Sequence, residues 1–196
     1  GGEMCYLLAY CGQTTFAAVA PIAGLTMAWM PEAFKHTVRI PLFEMHGTED
    51  RVSEWTGDME NKGGWGAYIP VPDAVQYWVE RNGCTEEIVE ELPLKGEGAH
   101  KVIAHKFVGK KDSPQVWLYE VVGGVHSWFN EDMDTADEVW KFFSQYLEED
   151  DTYKYPSQER IDRQVDSVFR KLSTREKIAQ IMVISFTSKD SKEMFE

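Results

Sequence analysis

The sequence contains no apolar run close to the roughly 18 residues that a membrane-spanning helix requires, and it is short of basic residues. Its 20 Lys and Arg residues stand against 33 Asp and Glu residues, which gives a formal net charge of -13 at pH 7. A protein with this charge repels phosphate backbones, and a pair such as Lys110-Lys111 is too short to form a basic stripe. We therefore expect neither a membrane nor a nucleic acid as a partner.

Cysteine is also scarce. The three cysteines, Cys5, Cys11 and Cys84, lack the spacing of a metal site, and their odd number does not define a set of disulfides. The histidines show no metal-ligand spacing either. The sequence thus predicts no metal site and leaves the redox compartment open.

Apolar residues make up 43% of the chain and aromatic residues 13%, which is enough for a buried core. Apolar residues at helical spacing predict helices at 3–10, 71–82 and 134–147, and Gly83 is placed to end the second. Short apolar runs predict strands at 16–20, 40–45, 101–108 and 116–122. Strands that alternate with helices indicate an α/β fold with a mainly parallel sheet flanked by helices.

The composition changes near residue 148. The acidic run Glu148-Glu149-Asp150-Asp151 has no apolar periodicity, and we interpret 149–157 as a linker between a first domain, 1–148, and a second segment, 158–196. In that segment, apolar residues recur at helical spacing from Ile161 to Leu172. Ser173-Thr174-Arg175-Glu176 then has the form of a capping box, so we expect a short helical start of a second domain.

Two loops that follow predicted strands carry an acid and a histidine. Asp50 ends the segment His46-Gly47-Thr48-Glu49-Asp50, and His126 lies in Gly123-Gly124-Val125-His126-Ser127-Trp128. In α/β-hydrolases the catalytic triad arrives in the chain order Ser, Asp or Glu, His, with each residue on a loop just past a strand. Asp50 and His126 fit the second and third places.

The first place of such a triad has a matching signal at the start of the sequence. Gly1-Gly2 before a predicted helix is typical of the end of a nucleophile elbow. We therefore expect the serine two residues before Gly1, and a chain that is the C-terminal half of an α/β-hydrolase fold.

Each of these residues also has a structural interpretation. Asp50 could be a turn residue that bonds to nearby backbone, Glu49 is an alternative acid, and His126 could be a partly buried structural histidine. We expect His46 to be a structural turn residue, and we expect His36, His100 and His105 to lie in polar or strand contexts without partners. The indoles of Trp55, Trp65 and Trp128 could stack on a sugar or an aromatic acid, although packing is the simpler interpretation.

Taken together, Gly1-Gly2-Glu3-Met4-Cys5-Tyr6, Ala20-Pro21-Ile22-Ala23-Gly24 and the two loops resemble the second half of secreted esterases related to poly(3-hydroxybutyrate) depolymerases. These include the feruloyl and acetylxylan esterases of carbohydrate esterase family one. The resemblance covers residues 1–148. It implies a Gly-x-Ser-x-Gly-Gly elbow that ends at Gly1 and Gly2, with Asp50 as the acid and His126 as the base.

The later segment is similar to a different family. Val165-Asp166-Ser167-Val168-Phe169 and the run from Leu172 to Gln180 resemble the amino-terminal opening of glycoside hydrolase family three. An esterase joined to a glycosidase implies breakdown of plant polysaccharides, xylan among them, by a secreted or periplasmic protein.

The resemblances imply a serine ester hydrolase that acts on feruloyl or acetyl esters of a polysaccharide without a cofactor. Without the serine, the chain as it stands is expected to be inactive. The alternatives are a poly(3-hydroxybutyrate) depolymerase, a peptidase of the same fold, and a non-catalytic binding domain.

Overall fold

A computed structural model of the chain describes residues 1–12, 16–35, 38–111 and 113–146. The described residues belong to one compact unit. Their helices and strands are α1 (Gly2–Tyr10), α2 (Met30–Ala33), β1 (Leu42–Gly47), α3 (Val71–Asn82), β2 (Glu86–Glu91), β3 (Lys101–Val108), β4 (Val116–Val122) and α4 (Thr135–Phe143). A 3-10 turn at Ser144–Tyr146 follows α4.

The four strands form one mixed sheet in the order β1-β4-β3-β2. Only β1 and β4 are parallel, while β4 with β3 and β3 with β2 are antiparallel. The fold is therefore α/β in general terms, but the expectation of a mainly parallel sheet is wrong. The reason is chain length: the connections at 92–100 and 109–115 are too short for a crossover, which needs about a dozen residues or more, and permit only antiparallel neighbours.

The expected buried strand at 16–20 is not a full strand. Val19 and Ile22 form isolated parallel bridges with Leu42 and Met45 of β1, and the side chain of Phe16 is 48% exposed. Pro21 lies between the two bridging residues and has no backbone N–H to donate. The chain thus runs beside β1 over a few residues only.

Strand β2 was not predicted, because its sequence Glu-Glu-Ile-Val-Glu-Glu is acidic and every residue is exposed. It forms an edge of the sheet and is held to β3 by side chains as well as by backbone bonds. The cross-strand pairs are Lys106 with Glu90, Lys101 with Glu91 and His105 with Glu87. Charge pairing with a neighbour cannot be seen in the apolar pattern of a single strand.

The three long helices lie near their expected positions. Helix α3 matches the prediction in both bounds, and Gly83 ends it in the left-handed region at φ 73°. Helix α4 is capped by Asp134, whose side chain accepts a hydrogen bond from the backbone N–H of Asp137, and its α-helical part ends before the expected 147.

The core lies on both faces of the sheet, and all six residues of β1 are buried. Leu42 packs on one face with Tyr6 of α1 and Trp78 of α3, whereas Phe43 packs on the other with Phe142 of α4. Because side chains alternate along a strand, Glu44 and His46 point to the same face as Leu42, the face that carries α1.

The expected linker, 149–157, and second-domain start, 158–196, lie outside the described residues. In the part of the chain that the structure describes, no helix is long and apolar enough to cross a bilayer.

Candidate active site

The loops that follow β1 and β4 meet at one edge of the sheet, because these two strands are parallel neighbours. The backbone N–H of Thr48 donates to the carbonyl of Val121 at 3.0 Å, and that of Glu49 donates to the carbonyl of Gly124 at 3.0 Å. The Thr48 hydroxyl accepts from the N–H of Gly123 at 2.8 Å. The two loops are thus joined before either reaches its candidate catalytic residue.

Gly47 permits this close approach. A Cβ at Gly47 would lie 2.2 Å from the carbonyl oxygen of Gly124, which is far inside van der Waals contact. A Cβ at Gly124 would in turn meet the side chain of Val121 at 2.7 Å. Gly47 is therefore required by backbone packing between the loops, and Gly124 by its contact with Val121 at the end of β4.

Asp50 and His126 meet at this edge. The Nδ1 atom of His126 lies 2.7 Å from Oδ2 of Asp50, whose side chain is fully buried. The other carboxylate oxygen, Oδ1, accepts hydrogen bonds from the backbone N–H groups of Val52 and Ser53 at 2.7 and 2.9 Å. The carboxylate is thereby fixed in position, and it favours the tautomer of His126 that carries its proton on Nδ1.

His126 itself is partly open to solvent, with a side chain 44% exposed. None of the residues that the structure describes forms a hydrogen bond with its Nε2 atom. With Nδ1 held by Asp50, Nε2 is the nitrogen that can accept a proton from a nucleophile.

Glu49, the alternative acid, does not take this place. Its side chain is exposed, while its backbone N–H takes part in joining the loops. Of the two neighbouring acids, it is Asp50 that the structure brings to His126.

Ser53 belongs to the site but was not predicted. Its hydroxyl lies 2.8 Å from the carbonyl oxygen of Ala23, 3.1 Å from Oδ2 of Asp50 and 3.3 Å from Nδ1 of His126. The available signal was local: a serine three residues after an aspartate in a turn commonly donates its backbone N–H to that carboxylate. Ser53 thus supports Asp50 through its backbone N–H, while its single hydroxyl proton has its shorter contact with the Ala23 carbonyl.

His46 is not the turn residue that we expected. It lies within β1, its side chain is fully buried, and its Nδ1 atom is 2.7 Å from Oε1 of the equally buried Glu44. Its Nε2 atom is 2.7 Å from the carbonyl oxygen of Ser53 and 3.6 Å from Oδ2 of Asp50. The ring therefore lies between two buried carboxylates, just below the Asp50–His126 pair.

The environment changes the acidity of both partners. Burial raises the pKa of Glu44, although the hydrogen bond with His46 acts in the opposite direction. Burial alone would lower the pKa of His46, but its bond with Glu44, its contact with the Ser53 carbonyl and the charge of Asp50 together raise it. Both shifts favour retention of a proton by the pair.

The amino end of α1 and His126 line the same cleft. A cleft of about 420 Å³ is lined by Gly1, Gly2, Cys5, Ala20, Ile22, Ala23, His126, Ser127 and Trp128. A Cβ at Gly2 would lie only 2.4 Å from the Cα of Gly24, so the start of α1 packs directly on the backbone at 22–24. Gly2 thus lets the beginning of the helix pack on this segment, which lines the same cleft as His126.

Ala23, in the wall of this cleft, has an uncommon backbone conformation with φ 48°. It is held there by two hydrogen bonds: its N–H donates to the Met45 carbonyl at 2.8 Å, and its carbonyl accepts from the Ser53 hydroxyl. A non-glycine residue kept in this region is more common at functional sites than elsewhere.

The remaining histidines and tryptophans lie apart from this arrangement. Two histidines do have acidic partners, contrary to expectation: His100 pairs with Asp132 at 2.9 Å, and His105 pairs with Glu87 at 2.7 Å. His36 lies outside the described residues. Trp55 packs against the core, whereas Trp65 and Trp128 are each 68% exposed, and only Trp128 of the three lines the cleft.

No group of three or more His, Cys, Asp or Glu side chains in the described ranges is arranged to hold a metal ion. The cysteines Cys5, Cys11 and Cys84 are free thiols.

Comparisons with known proteins found no match, either to a protein-family model or to a curated protein. The geometry at the sheet edge is therefore the basis for the functional argument.

Proposed function

We propose that the chain is the C-terminal half of a serine ester hydrolase that acts on feruloyl or acetyl esters of a polysaccharide. One observation carries the proposal: the buried Asp50 carboxylate bonds to Nδ1 of His126 in a cleft that also contains the start of α1 at Gly1. This is the relation that a triad acid, a triad base and the helix after a nucleophile have to one another.

The nucleophile in this proposal is a serine two residues before Gly1. The serines near His126 in the described chain are poorly suited to that role. Ser53 is 2% exposed and lies on the Nδ1 side of the ring, while the Ser127 hydroxyl accepts from the N–H of Phe129 at 2.8 Å. A residue before α1 would instead approach the cleft from the side of Gly1.

The proposed reaction is acyl transfer in two steps. The serine hydroxyl attacks the ester carbonyl and gives its proton to Nε2 of His126, which then protonates the departing alcohol. Water attacks the acyl-serine in the same way, and the released acid and free serine complete the cycle. Asp50 keeps the ring oriented and stabilises the imidazolium, so no metal or organic cofactor has a step in this scheme.

We propose polysaccharide esters as substrates because residues 1–148 resemble carbohydrate esterase family one and the segment 158–196 resembles glycoside hydrolase family three. The exposed indole of Trp128 beside His126 is compatible with a ring-bearing substrate. A secreted or periplasmic protein is the corresponding proposal for location.

The test is hydrolysis of methyl ferulate and 4-nitrophenyl acetate by the full-length protein and by its His126→Ala variant. We expect turnover that is lost in His126→Ala and kept in His105→Ala, a histidine of β3 that pairs with Glu87 and does not line the cleft. Faster cleavage of amides than of esters would favour a peptidase, and cleavage of poly(3-hydroxybutyrate) alone would favour a depolymerase. Substrate binding without any turnover would favour a non-catalytic binding domain.

A further inference from the structure

The buried pair formed by Glu44 and His46 is not used by the acyl-transfer scheme. Both side chains are fully buried on the α1 side of β1. Glu44 contacts one ring nitrogen of His46 at 2.7 Å, and the Ser53 carbonyl contacts the other at 2.7 Å. The pair therefore connects the inside of the sheet with the turn that carries Asp50.

The two contacts of His46 determine how many protons it and Glu44 carry together. The Ser53 carbonyl oxygen has only lone pairs, so Nε2 of His46 must carry the proton of that hydrogen bond. The contact between Nδ1 and Oε1 of Glu44 is equally short and needs a second proton. With a proton in each contact, Glu44 and His46 together are neutral and do not carry the single negative charge of an ionised glutamate beside a neutral histidine.

The surroundings explain why the second proton is retained. The nearest charged group is Asp50, whose Oδ2 lies 3.6 Å from Nε2 of His46, and His126 lies on its far side. From α1, Tyr6 and Cys5 face Glu44, and both are neutral donors with raised pKa values, chiefly because of burial. Loss of the proton would leave two buried carboxylates around one imidazole without a balancing charge.

The Tyr6 hydroxyl and the Gly24 backbone act, with His46, to lower the pKa of Glu44, but burial is the larger effect and raises it. Among the described residues, the buried Oε2 atom of Glu44 has no hydrogen-bond partner within 3.5 Å. A buried carboxylate in this condition holds a proton more strongly than an exposed one.

We infer that Glu44 and His46 share a proton across the neutral pH range, and that this neutral pair positions the Asp50 turn for its bond with His126. His46 is then a positioning residue that acts through the Ser53 carbonyl. Its importance for catalysis rests on the proposed esterase function, whereas its effect on the Asp50–His126 bond does not.

The first test is NMR of the 196-residue chain with ¹⁵N-labelled histidine. We expect Nε2 of His46 to be protonated, with no release of a proton from the pair between about pH 6 and about pH 8, where an ordinary histidine titrates. A His46 ring without a proton on Nε2, or proton release from the pair in that range, would overturn the inference. Since this measurement uses the unchanged chain, it tests whether Glu44 and His46 share a proton even if the variants fail to fold.

The second test follows the Nδ1–H proton that joins His126 to Asp50. We expect Glu44→Gln and His46→Gln to speed its exchange with solvent by about tenfold or more, because the turn is held less firmly. His105→Gln is the matched control and should leave this exchange rate unchanged. Unchanged exchange in both test variants, with the His100–Asp132 pair intact as evidence of folding, would contradict the inference.

Kinetics of the full-length protein separate this inference from the proposed function. We expect Glu44→Gln to lower kcat for methyl ferulate by about tenfold with little change in KM, and to alter the pH profile of kcat. If no ester is hydrolysed, the proposed function fails while the NMR tests still decide the inference. If esters are hydrolysed and Glu44→Gln changes neither kcat nor proton exchange, the inference alone fails.

Discussion

At the scale of the residue, the Asp50 carboxylate has a separate task for each oxygen. Oδ1 is held by two backbone N–H groups of its own turn, and Oδ2 faces Nδ1 of His126. In the proposed reaction, a carboxylate fixed in this way would orient the imidazole without having to move. The neighbouring Ser53 hydroxyl joins this turn to Ala23 in the wall of the cleft.

The first prediction concerns Asp50→Asn in the full-length protein. The amide can donate to Nδ1 and so favours the wrong tautomer of His126, with the proton on Nε2. We expect kcat for ester hydrolysis to fall by about 10⁴-fold, the scale of this change in Ser-His-Asp enzymes, with KM nearly unchanged. Glu49→Gln should retain activity, and equal losses in the two variants would contradict the role of Asp50.

The second prediction concerns Ser53→Ala. Loss of the hydroxyl leaves the Ala23 carbonyl without this partner, so we expect a loss of about 1–3 kcal/mol in the free energy of unfolding. Urea denaturation measures the change. Ser144→Ala, at an exposed position, is the control and should stay within about 0.5 kcal/mol of the unchanged chain. A Ser53→Ala chain of unchanged stability would show that the hydroxyl carries no structural bond.

The sequence predicts the residues of this site unevenly. Asp50 and His126 could be found because strand ends and chain order are visible in the pattern of residues. Glu44, His46 and Ser53 were missed because their contacts depend on which face of β1 is covered by α1. For Glu44 and His46, the local signal was their alternation with Leu42 along one face of the strand.

At the scale of the element, the site depends on the parallel pair of β1 and β4, whose carboxyl ends lie side by side. Gly47 ends β1 where the loop after β4 crosses it, and the two backbones are too close for a side chain. The position of Asp50 relative to His126 is therefore set by strand pairing and by one glycine.

The third prediction concerns Gly47→Ala. The added methyl group would lie 2.2 Å from the Gly124 carbonyl oxygen, so the loops must separate. We expect the free energy of unfolding to fall by about 1–3 kcal/mol, as for other overpacked sites, and the low-field Nδ1–H signal of His126 to weaken. Gly96→Ala is the matched control, because a Cβ at that position meets nothing within 4 Å. Equal stability of the two variants would argue against a tight crossing.

The elements themselves were predictable where the apolar period was long or regular, as in α3, β3 and β4. Strand β2 was missed because its acidic residues are stabilised by Lys101, His105 and Lys106 on the next strand. The prediction of a mainly parallel sheet was wrong because the connections at 92–100 and 109–115 are short. Short connections determine antiparallel pairing more strongly than the alternation of helices and strands does.

At the scale of the whole molecule, buried ionisable groups make stability depend on pH. Glu44 and His46 both have raised pKa values in the folded chain, for the reasons of burial and mutual contact given above. A raised folded pKa means that the folded chain binds more protons than the unfolded chain above the ordinary pKa, so stability falls as pH rises. The neutral pair holds as many protons as an ionised glutamate and a charged histidine together, so its contribution begins to be lost above the ordinary pKa of histidine, 6.5.

The fourth prediction compares the unchanged chain with Glu44→Gln on both sides of this pH. The difference in unfolding free energy between them should decrease as pH rises above about 6.5, by at most about 1.4 kcal/mol per pH unit for each proton retained. Urea midpoints at several pH values provide the measurement, and Glu86→Gln on the exposed strand β2 is the control. A difference that increases with pH would mean that Glu44 is buried as a stable anion.

The central claim is that the start of α1 places a nucleophilic serine beside His126 and Asp50. Treating the full-length protein with a fluorophosphonate and locating the adduct by mass spectrometry tests it most directly. We predict a single modified serine two residues before Gly1, with labelling lost in His126→Ala and kept in His105→Ala. No adduct, or an adduct on Ser53, Ser127 or a more distant serine, would contradict the claim.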